Sequence, residues 1–373
     1  MAEIKRRDVY YFPGYDVQGV RRYYRYLVRQ CGWYARRFDA KLAVGPLRQS
    51  DKEAWLVADV TAQWPEGDVQ TRFHFCNWRR DIVQDYSFSR RQRYARLLGA
   101  WARMTWRGHT LRLCRKAPRF MFAASIPIQL IFWRIVVCTL ALLSFLIGPL
   151  WGVIMCALAG VALYGLNRAG EAAHEDFFVN GFVYMENRLS YRPKQPDGRL
   201  GLAVQKLIDG IASSDDPPDE IMLVGHSYGG APAIKAAQAI ARAGTPVSVL
   251  TIGSISPFVS LDRSEGDLRP AVAALLNQKN ACWRDYYAPQ DTLSFPGIHP
   301  VRDFDLAIKG APKADFKVKS AVFGEIVAPR KIRKFRWNLL RMHFHFIMAA
   351  DVQGGYDWIR YATGPDRLSD ASK

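Results

Sequence analysis

The pentapeptide Gly225-His-Ser-Tyr-Gly229 fits G-x-S-x-G, a pattern in which the central serine can act as a nucleophile. An apolar run beginning at Asp219-Glu-Ile-Met222 precedes it, and the helix-forming stretch 233–241 follows it. This order predicts a buried strand, a sharp glycine turn and a helix, with Ser227 in a strained backbone conformation. The sequence therefore favours nucleophilic chemistry at Ser227 over a chance glycine turn around a buried serine.

A serine hydroxyl is a weak nucleophile until a base takes its proton, and a carboxylate usually holds that base. With this motif, the acid and then the histidine follow the serine along the chain. We favour Asp291, which follows the predicted strand 281–287 by a proline-containing turn. The other candidates are Asp285 within that strand and Asp303 and Asp305 beyond it, and Asp291 could also be a turn-capping residue.

Three histidines follow the serine and could act as the base: His299, His343 and His345. The base is expected after the last strand, predicted at 318–327, which leaves the pair at 343 and 345. On a helix, two positions differ by about 200°, so only one of the pair can face the site. We favour His343, nearer the loop end, and keep His345 as the alternative base. His226, beside the nucleophile, is predicted to be a supporting residue.

Two backbone N–H groups are predicted to stabilise the oxyanion. The short β-rich run Val9-Tyr-Tyr-Phe12 ends in the turn Pro13-Gly-Tyr15, and the loop after an early strand can supply one donor, here the N–H of Tyr15. The second is the N–H of Tyr228, directly after the nucleophile. The alternative for Pro13-Gly-Tyr15 is an ordinary strand-ending turn.

Between Phe120 and Leu166, only Arg134 carries a charge. One bilayer crossing needs about 20 helical residues, so the stretch is long enough for two helices with a turn at Gly148-Pro149. Ser227 and the turn at Pro13 must lie on the same sheet, so both ends of the apolar stretch must be on one side of the membrane. The number of crossings must therefore be even. A re-entrant hairpin and a hairpin buried in a soluble core are the alternatives.

The domain organisation follows from this insertion. Residues 1–119 form the first part of an α/β domain, 120–166 a transmembrane helical hairpin, and 167–373 the second part of the same domain. The basic cluster at 112–119 and Arg168 predict, by the positive-inside rule, that both termini and the catalytic domain are cytoplasmic.

The composition points to a membrane surface as the partner of this basic chain. Its 373 residues carry a net charge of +18, but no zinc finger, helix-turn-helix or RNA-binding aromatic motif accompanies it, so no nucleic acid is expected. The six cysteines are scattered without a C-x-x-C pair, which predicts neither a disulfide framework nor a metal site. The alternation of β-rich runs with helices predicts an α/β fold, with a mostly parallel sheet covered by helices on both faces.

Four segments together resemble the α/β-hydrolase superfamily on its lipase/esterase-like side: Phe12-Pro-Gly-Tyr-Asp16, Val224-Gly-His-Ser-Tyr-Gly-Gly230, Asp285-Tyr-Tyr-Ala-Pro-Gln-Asp291 and Met342-His-Phe-His345. The resemblance covers roughly residues 8–119 and 167–360. It implies hydrolysis of esters or thioesters through an acyl-enzyme, without a cofactor. The chain departs from the family in its membrane hairpin, inserted between the oxyanion turn and the nucleophile, and in a base that lies well past the last strand.

The expected function is that of a membrane-anchored serine hydrolase acting on carboxylic esters, lipid or acyl esters among them. One alternative is a catalytically silent α/β-hydrolase fold that serves as a membrane interaction module. The other is an acyltransferase that uses the same triad of Ser227, Asp291 and His343.

Overall fold

The computed structural model describes residues 4–50, 54–189, 198–212, 216–259, 268–303, 306, 311–352 and 354–372. The chain divides into two compact units. One unit is formed by residues 1–87 together with 188–373, and the other by residues 88–187. The first contains the β-sheet, and the second contains the apolar stretch 120–166.

The nine strands of the first unit form one mixed sheet that is mostly parallel. Its order is β2-β4-β5-β1-β6-β7-β8-β9, and β3 pairs with β4 beside that path. Every pair from β5 through β1 to β9 is parallel, whereas β2, β3 and β5 are antiparallel to β4. The predicted α/β class with a mostly parallel sheet is confirmed. The strands are β1 (Arg6–Phe12), β2 (Lys41–Val44), β3 (Arg48–Gln49), β4 (Trp55–Trp64), β5 (Gly67–Cys76), β6 (Glu220–His226), β7 (Val247–Ile252), β8 (Ala281–Tyr287) and β9 (Asp315–Ser320).

The helices are α1 (Val20–Ala35), α2 (Arg79–Tyr86), α3 (Arg90–Trp106), α4 (His109–Lys116), α5 (Pro118–Ala124), α6 (Ile126–Leu143), α7 (Pro149–Ala172), α8 (Glu175–Leu189), α9 (Gly198–Ala212), α10 (Gly230–Arg242), α11 (Ser256–Val259), α12 (Leu268–Leu276), α13 (Phe323–Ile326), α14 (Pro329–Phe335), α15 (Leu339–His343), α16 (Trp358–Thr363) and α17 (Leu368–Ala371). Short 3₁₀ turns occupy Ser144–Leu146, Ser227–Gly229, Thr292–Ser294 and Phe344–Ile347.

Helices lie on both faces of the sheet. Buried residues of α1 and α16 share one hydrophobic cluster with Val9 and Tyr11 of β1. Helix α10 contacts β1, β6 and β7, and its described side chains lie outside that cluster. Because alternate side chains of a strand point to opposite faces, each face of the central strands is covered by a different set of helices.

The central pairing joins strands from opposite sides of the apolar stretch. Strand β1 is parallel to β6, with Tyr11 opposite Val224 and Phe12 opposite Gly225. This confirms the prediction that Ser227 and the turn at Pro13 belong to the same sheet.

The last predicted strand, 318–327, is wrong beyond Ser320, and the observed strand β9 begins earlier, at Asp315. Strand β9 ends at Ser320, which pairs with Tyr287, the last residue of β8. The chain beyond Ser320 has no neighbouring strand to pair with, and it turns into α13. There Phe323 and Ile326 are buried at the three-residue spacing of a helix. The short edge strands β2 and β3 were not predicted either.

The two apolar helices of the second unit fit the predicted hairpin. Residues Ile126–Leu146 and Pro149–Ala172 are long and apolar enough to cross a membrane, and only 11% and 6% of their most apolar windows are buried. So little burial argues against a hairpin in a soluble core. The guanidinium of Arg134 donates to both carboxylate oxygens of Glu175, at 2.7 and 2.9 Å, and Tyr94 also donates to that carboxylate. The charge inside the first apolar helix is thus paired.

A buried ion pair ties the start of β1 to β6 and to the C-terminal helices. The Arg7 Nε donates to Glu220 Oε2 at 2.7 Å, with both side chains almost fully buried. The other carboxylate oxygen of Glu220 accepts from the Ser248 hydroxyl and from the Leu368 N–H, and Arg7 also donates to the carbonyl of Gly364.

We expect Glu220→Gln to lower the free energy of unfolding by about 3–5 kcal/mol, because it leaves the buried guanidinium of Arg7 without its counter-charge. Denaturant unfolding of the detergent-solubilised protein measures this change. Asp216→Asn is the matched control, since Asp216 pairs with Arg6 at the surface, where solvent screens the pair and its loss changes stability little. Equal effects of the two variants would contradict the prediction.

Candidate active site

Ser227 lies at the sharp turn between β6 and α10, as the sequence predicts. Strand β6 ends at His226, the 3₁₀ turn Ser227–Gly229 follows, and α10 begins at Gly230. The φ angle of Ser227 is 56°, a left-handed conformation that non-glycine residues seldom adopt. Such strain is found mainly at functional sites, where the surrounding structure holds the residue in place.

The glycines around Ser227 are required by close backbone approach. A Cβ on Gly225 would lie 2.5 Å from the Cα of Gly230, and a Cβ on Gly229 would lie 1.9 Å from the carbonyl oxygen of Phe12. A Cβ on Gly230 itself would lie 2.0 Å from the hydroxyl oxygen of Ser254. The glycines of the motif therefore stand where β6, α10 and the end of β1 approach too closely to leave room for a side chain.

Asp291 and His343 form a buried hydrogen bond. The Nδ1 of His343 lies 2.7 Å from the Oδ2 of Asp291, and the two residues are 3% and 0% exposed. The second oxygen of Asp291 accepts from the N–H of Leu293 at 3.0 Å. Asp291 therefore caps a turn and also binds the imidazole, so the two readings of this residue are compatible.

The His343 ring lies against residues next to Ser227. It stacks on the ring of His226, with centroids 4.9 Å apart and planes at 27°. A Cβ on Gly253, in the loop after β7, would lie only 2.7 Å from the Cε1 of His343, so the ring packs closely on this glycine. The Nε2 of His343 is buried and has no hydrogen-bond partner among the described residues. Both ring nitrogens of the neighbouring His226 are likewise buried without a described partner.

His226 supports this arrangement as a neutral ring. Burial, and then the neighbouring His343, hold the pKa of His226 well below its ordinary value. A neutral ring can pack against His343 without opposing a positive charge on it.

The other candidate bases lie elsewhere. The Nδ1 of His345 contacts the carbonyl oxygen of Arg341 at 2.9 Å, and its ring packs near Phe323 and Phe335. The Nδ1 of His299 accepts from the backbone N–H groups of Val301 and Arg302. Of the three histidines, His343 alone contacts Asp291 within the described ranges.

The alternative acids do not contact His343 within the described part of the chain. Asp285 accepts from the Thr251 hydroxyl, and burial raises the pKa of this carboxyl to about 7. Asp303 accepts from the backbone N–H of His299, and Asp305 lies outside the described residues.

The turn after β1 lies directly against the serine. A Cβ on Gly14 would be 3.1 Å from the Cβ of Ser227, so Pro13-Gly-Tyr15 and Tyr228 flank the hydroxyl-bearing residue. The rings of Tyr15 and Tyr228 lie 5.4 Å apart. The sequence did not reveal what holds this turn: the Tyr15 hydroxyl donates to Asp85 at 2.8 Å, and the Trp78 indole donates to the carbonyl of Pro13 at 3.3 Å.

The described residues contain no group of three or more His, Cys, Asp or Glu side chains that could hold a metal ion. Comparison with known proteins gives no relative: no family model, no curated protein and no solved structure matches the chain. The functional argument therefore depends on the geometry of these residues.

We expect Gly229→Ala to destabilise the first unit strongly, because the new methyl group would collide with the carbonyl of Phe12. Overpacking of this kind typically costs about 1–3 kcal/mol, which thermal unfolding can detect. Gly355→Ala is the control, since a Cβ there meets no atom within 4 Å. An unchanged melting temperature in Gly229→Ala would show that the close approach is absent.

Proposed function

We propose that the chain is a serine hydrolase that cleaves carboxylic esters through an acyl-enzyme, with Ser227 as nucleophile, His343 as base and Asp291 as the acid that holds the base. One observation carries the proposal. The buried Asp291–His343 hydrogen bond lies against the ring of His226, the residue before the strained Ser227, and the remaining ring nitrogen of His343 has no hydrogen-bond partner among the described residues, Ser227 included. Both ring nitrogens of His226 are also buried without a described partner, so the free nitrogen supports the proposal only together with the Asp291 contact and the strained serine.

The reaction would begin with attack of the Ser227 hydroxyl oxygen on the ester carbonyl, while His343 Nε2 takes the hydroxyl proton. The tetrahedral intermediate collapses as His343 returns that proton to the leaving alkoxide, which departs as an alcohol. Water then attacks the acyl-enzyme, gives a proton to His343, and the carboxylic acid leaves as Ser227 regains its proton. Asp291 stabilises the imidazolium that forms in both halves of the cycle.

The oxyanion would be held by the backbone N–H groups of Tyr15 and Tyr228. Support comes from the position of Pro13-Gly-Tyr15 against Ser227 and from the helix that begins just after Tyr228. In such sites, one donor typically contributes about 2.7–4 kcal/mol to transition-state stabilisation. The sheet order and these positions support the finer assignment of the fold as α/β-hydrolase-like, on the lipase/esterase-like side.

The substrate class follows from the setting as well as the site. Two helices apolar enough to span a bilayer support a membrane anchor, and lipid or acyl esters are the carboxylic esters concentrated there. The pairing of β1 with β6 supports an even number of crossings, because both ends of the apolar stretch return to one sheet. With the basic cluster at 112–119, this favours cytoplasmic termini and a cytoplasmic catalytic domain.

We expect a fluorophosphonate probe to label the detergent-solubilised wild-type protein, and Ser227→Ala to abolish the labelling. The probe reacts only with a serine that a neighbouring base activates, so it also separates an enzyme from a catalytically silent fold. Ser87→Ala, at an exposed helix end, is the matched control and should label like wild type. Labelling that survives in Ser227→Ala would refute the assignment of the nucleophile.

We expect His343→Ala to lower kcat/KM for a p-nitrophenyl ester by at least about 10²-fold, the usual contribution of a general base. His345→Ala should stay within a few-fold of wild type, because His345 contacts Arg341 and two phenylalanines rather than Asp291. The measurement is ester turnover at matched protein concentration, with melting temperature as the folding control. Equal losses in the two variants, or a larger loss in His345→Ala, would contradict the choice of base.

A further inference from the structure

A cavity in the first unit lies beside the segment that carries His343 and His345. It has a volume of about 460 Å³, within the usual range for small-molecule sites. Three stretches of chain build it: α1, the region from Val327 through α14, and the region from Arg341 to Asp351. The lining includes His345 but neither His343 nor Ser227, so the cavity is distinct from the candidate active site.

The charge of this cavity is strongly unbalanced. Five cationic side chains and a single carboxylate, Asp351, line it. The carboxylate is already occupied: its oxygens accept from the Lys331 ammonium at 2.5 Å and from the N–H of Ala328 at 2.8 Å. The other four cations form no ion pair with a carboxylate in the described ranges of the chain; they are Arg29, Arg330, Lys334 and Arg341.

Apolar and aromatic side chains share the cavity with these cations. The guanidinium of Arg341 lies 3.9 Å from the ring centre of Phe335, and the ammonium of Lys331 lies 4.8 Å from that of Trp33. Val327, Met348 and Ala349 complete the apolar part. Stacking on Phe335 orients the planar guanidinium of Arg341, which favours binding of an anion with several acceptor oxygens.

The cavity walls are fixed to each other by hydrogen bonds. The side-chain oxygen of Gln30 on α1 accepts from the N–H of Ala349 at 2.9 Å, and Asp351 connects its own segment to the start of α14. A site whose walls are already joined loses little conformational entropy on binding. This distinguishes it from basic residues scattered over a surface.

We propose that this cavity binds the phosphate group of an anionic amphiphile, with the apolar part of the ligand against Trp33, Phe335 and Met348. Arginines from opposite walls, Arg29 on α1 and Arg330 and Arg341 on the other side, suit a phosphate because it offers three acceptor oxygens and up to two charges. The ligand is either a phospholipid head group or a soluble phosphate ester. Binding here does not depend on the proposed activity of Ser227.

The test uses the full-length protein in phosphatidylcholine nanodiscs and three probes: hexyl phosphate, hexanol and inorganic phosphate. We expect calorimetry to show saturable one-to-one binding of hexyl phosphate, in wild type and in Ser227→Ala alike. Hexanol lacks the anion and so loses the charge-assisted hydrogen bonds, and inorganic phosphate lacks the alkyl chain and so loses the apolar burial. Each should bind at least about tenfold more weakly than hexyl phosphate. Absence of saturable hexyl phosphate binding would overturn the proposal.

Matched variants separate this cavity from general surface charge. The double variant Arg330→Gln, Arg341→Gln should weaken hexyl phosphate binding by about tenfold or more. The single variant Arg29→Gln, on α1, should do the same. Arg333→Gln with Arg336→Gln removes the same charge as the first pair from the same region but outside the cavity lining, and should leave binding within about twofold. Equal weakening by the two double variants, with melting temperatures unchanged, would overturn the proposal.

A second arm of the experiment identifies the source of the phosphate. Nanodiscs with one-fifth phosphatidic acid should block hexyl phosphate binding if the natural ligand is a lipid of the same bilayer. Unchanged binding in those nanodiscs assigns the cavity to a soluble phosphate ester.

Discussion

The parallel pairing of β1 with β6 is the constraint on which the candidate site depends. It brings the end of β1 so close to the turn after β6 that the carbonyl of Phe12 leaves no room for a side chain at Gly229. The same approach lays Gly14 against Ser227 and so positions the neighbouring backbone N–H groups. The strain at Ser227 is tolerated because strand, turn and helix are all fixed by packing around it.

Two groups of buried polar residues in the first unit differ in how far their hydrogen bonds are satisfied. Around Arg7 and Glu220, the charged groups bind each other and nearby backbone atoms, which suits a structural role. Asp291 is satisfied in the same way by Leu293 and His343. This series of hydrogen bonds ends at the Nε2 of His343, which has no partner among the described residues. An unsatisfied buried nitrogen costs stability, and under the proposed function the Ser227 hydroxyl would supply its partner during the reaction.

The sequence was sufficient for the parts of the site that local patterns encode. Glycine spacing and flanking apolar runs predicted the turn at Ser227, and chain order selected Asp291. The contact of His343, rather than His345, with Asp291 needed coordinates, because it depends on how α15 packs against the turn Thr292–Ser294. The predicted strand 318–327 was wrong beyond Ser320 because apolar spacing alone does not reveal where the neighbouring strand ends. The cationic cavity could not be predicted, since its walls come from three separated segments.

The long insertion between β5 and β6 is compatible with their places in one sheet for an entropic reason. Loop-closure cost rises only with the logarithm of loop length, about 0.6 kcal/mol for each doubling, so a separate compact unit of residues 88–187 can be inserted at little expense. What the sheet does require is that both ends of the insertion return to it. A pair of membrane-spanning helices meets this requirement, whereas a single span would separate β1 from β6. The pairing of β1 with β6 therefore requires an even number of membrane crossings, and a pair of apolar helices supplies it.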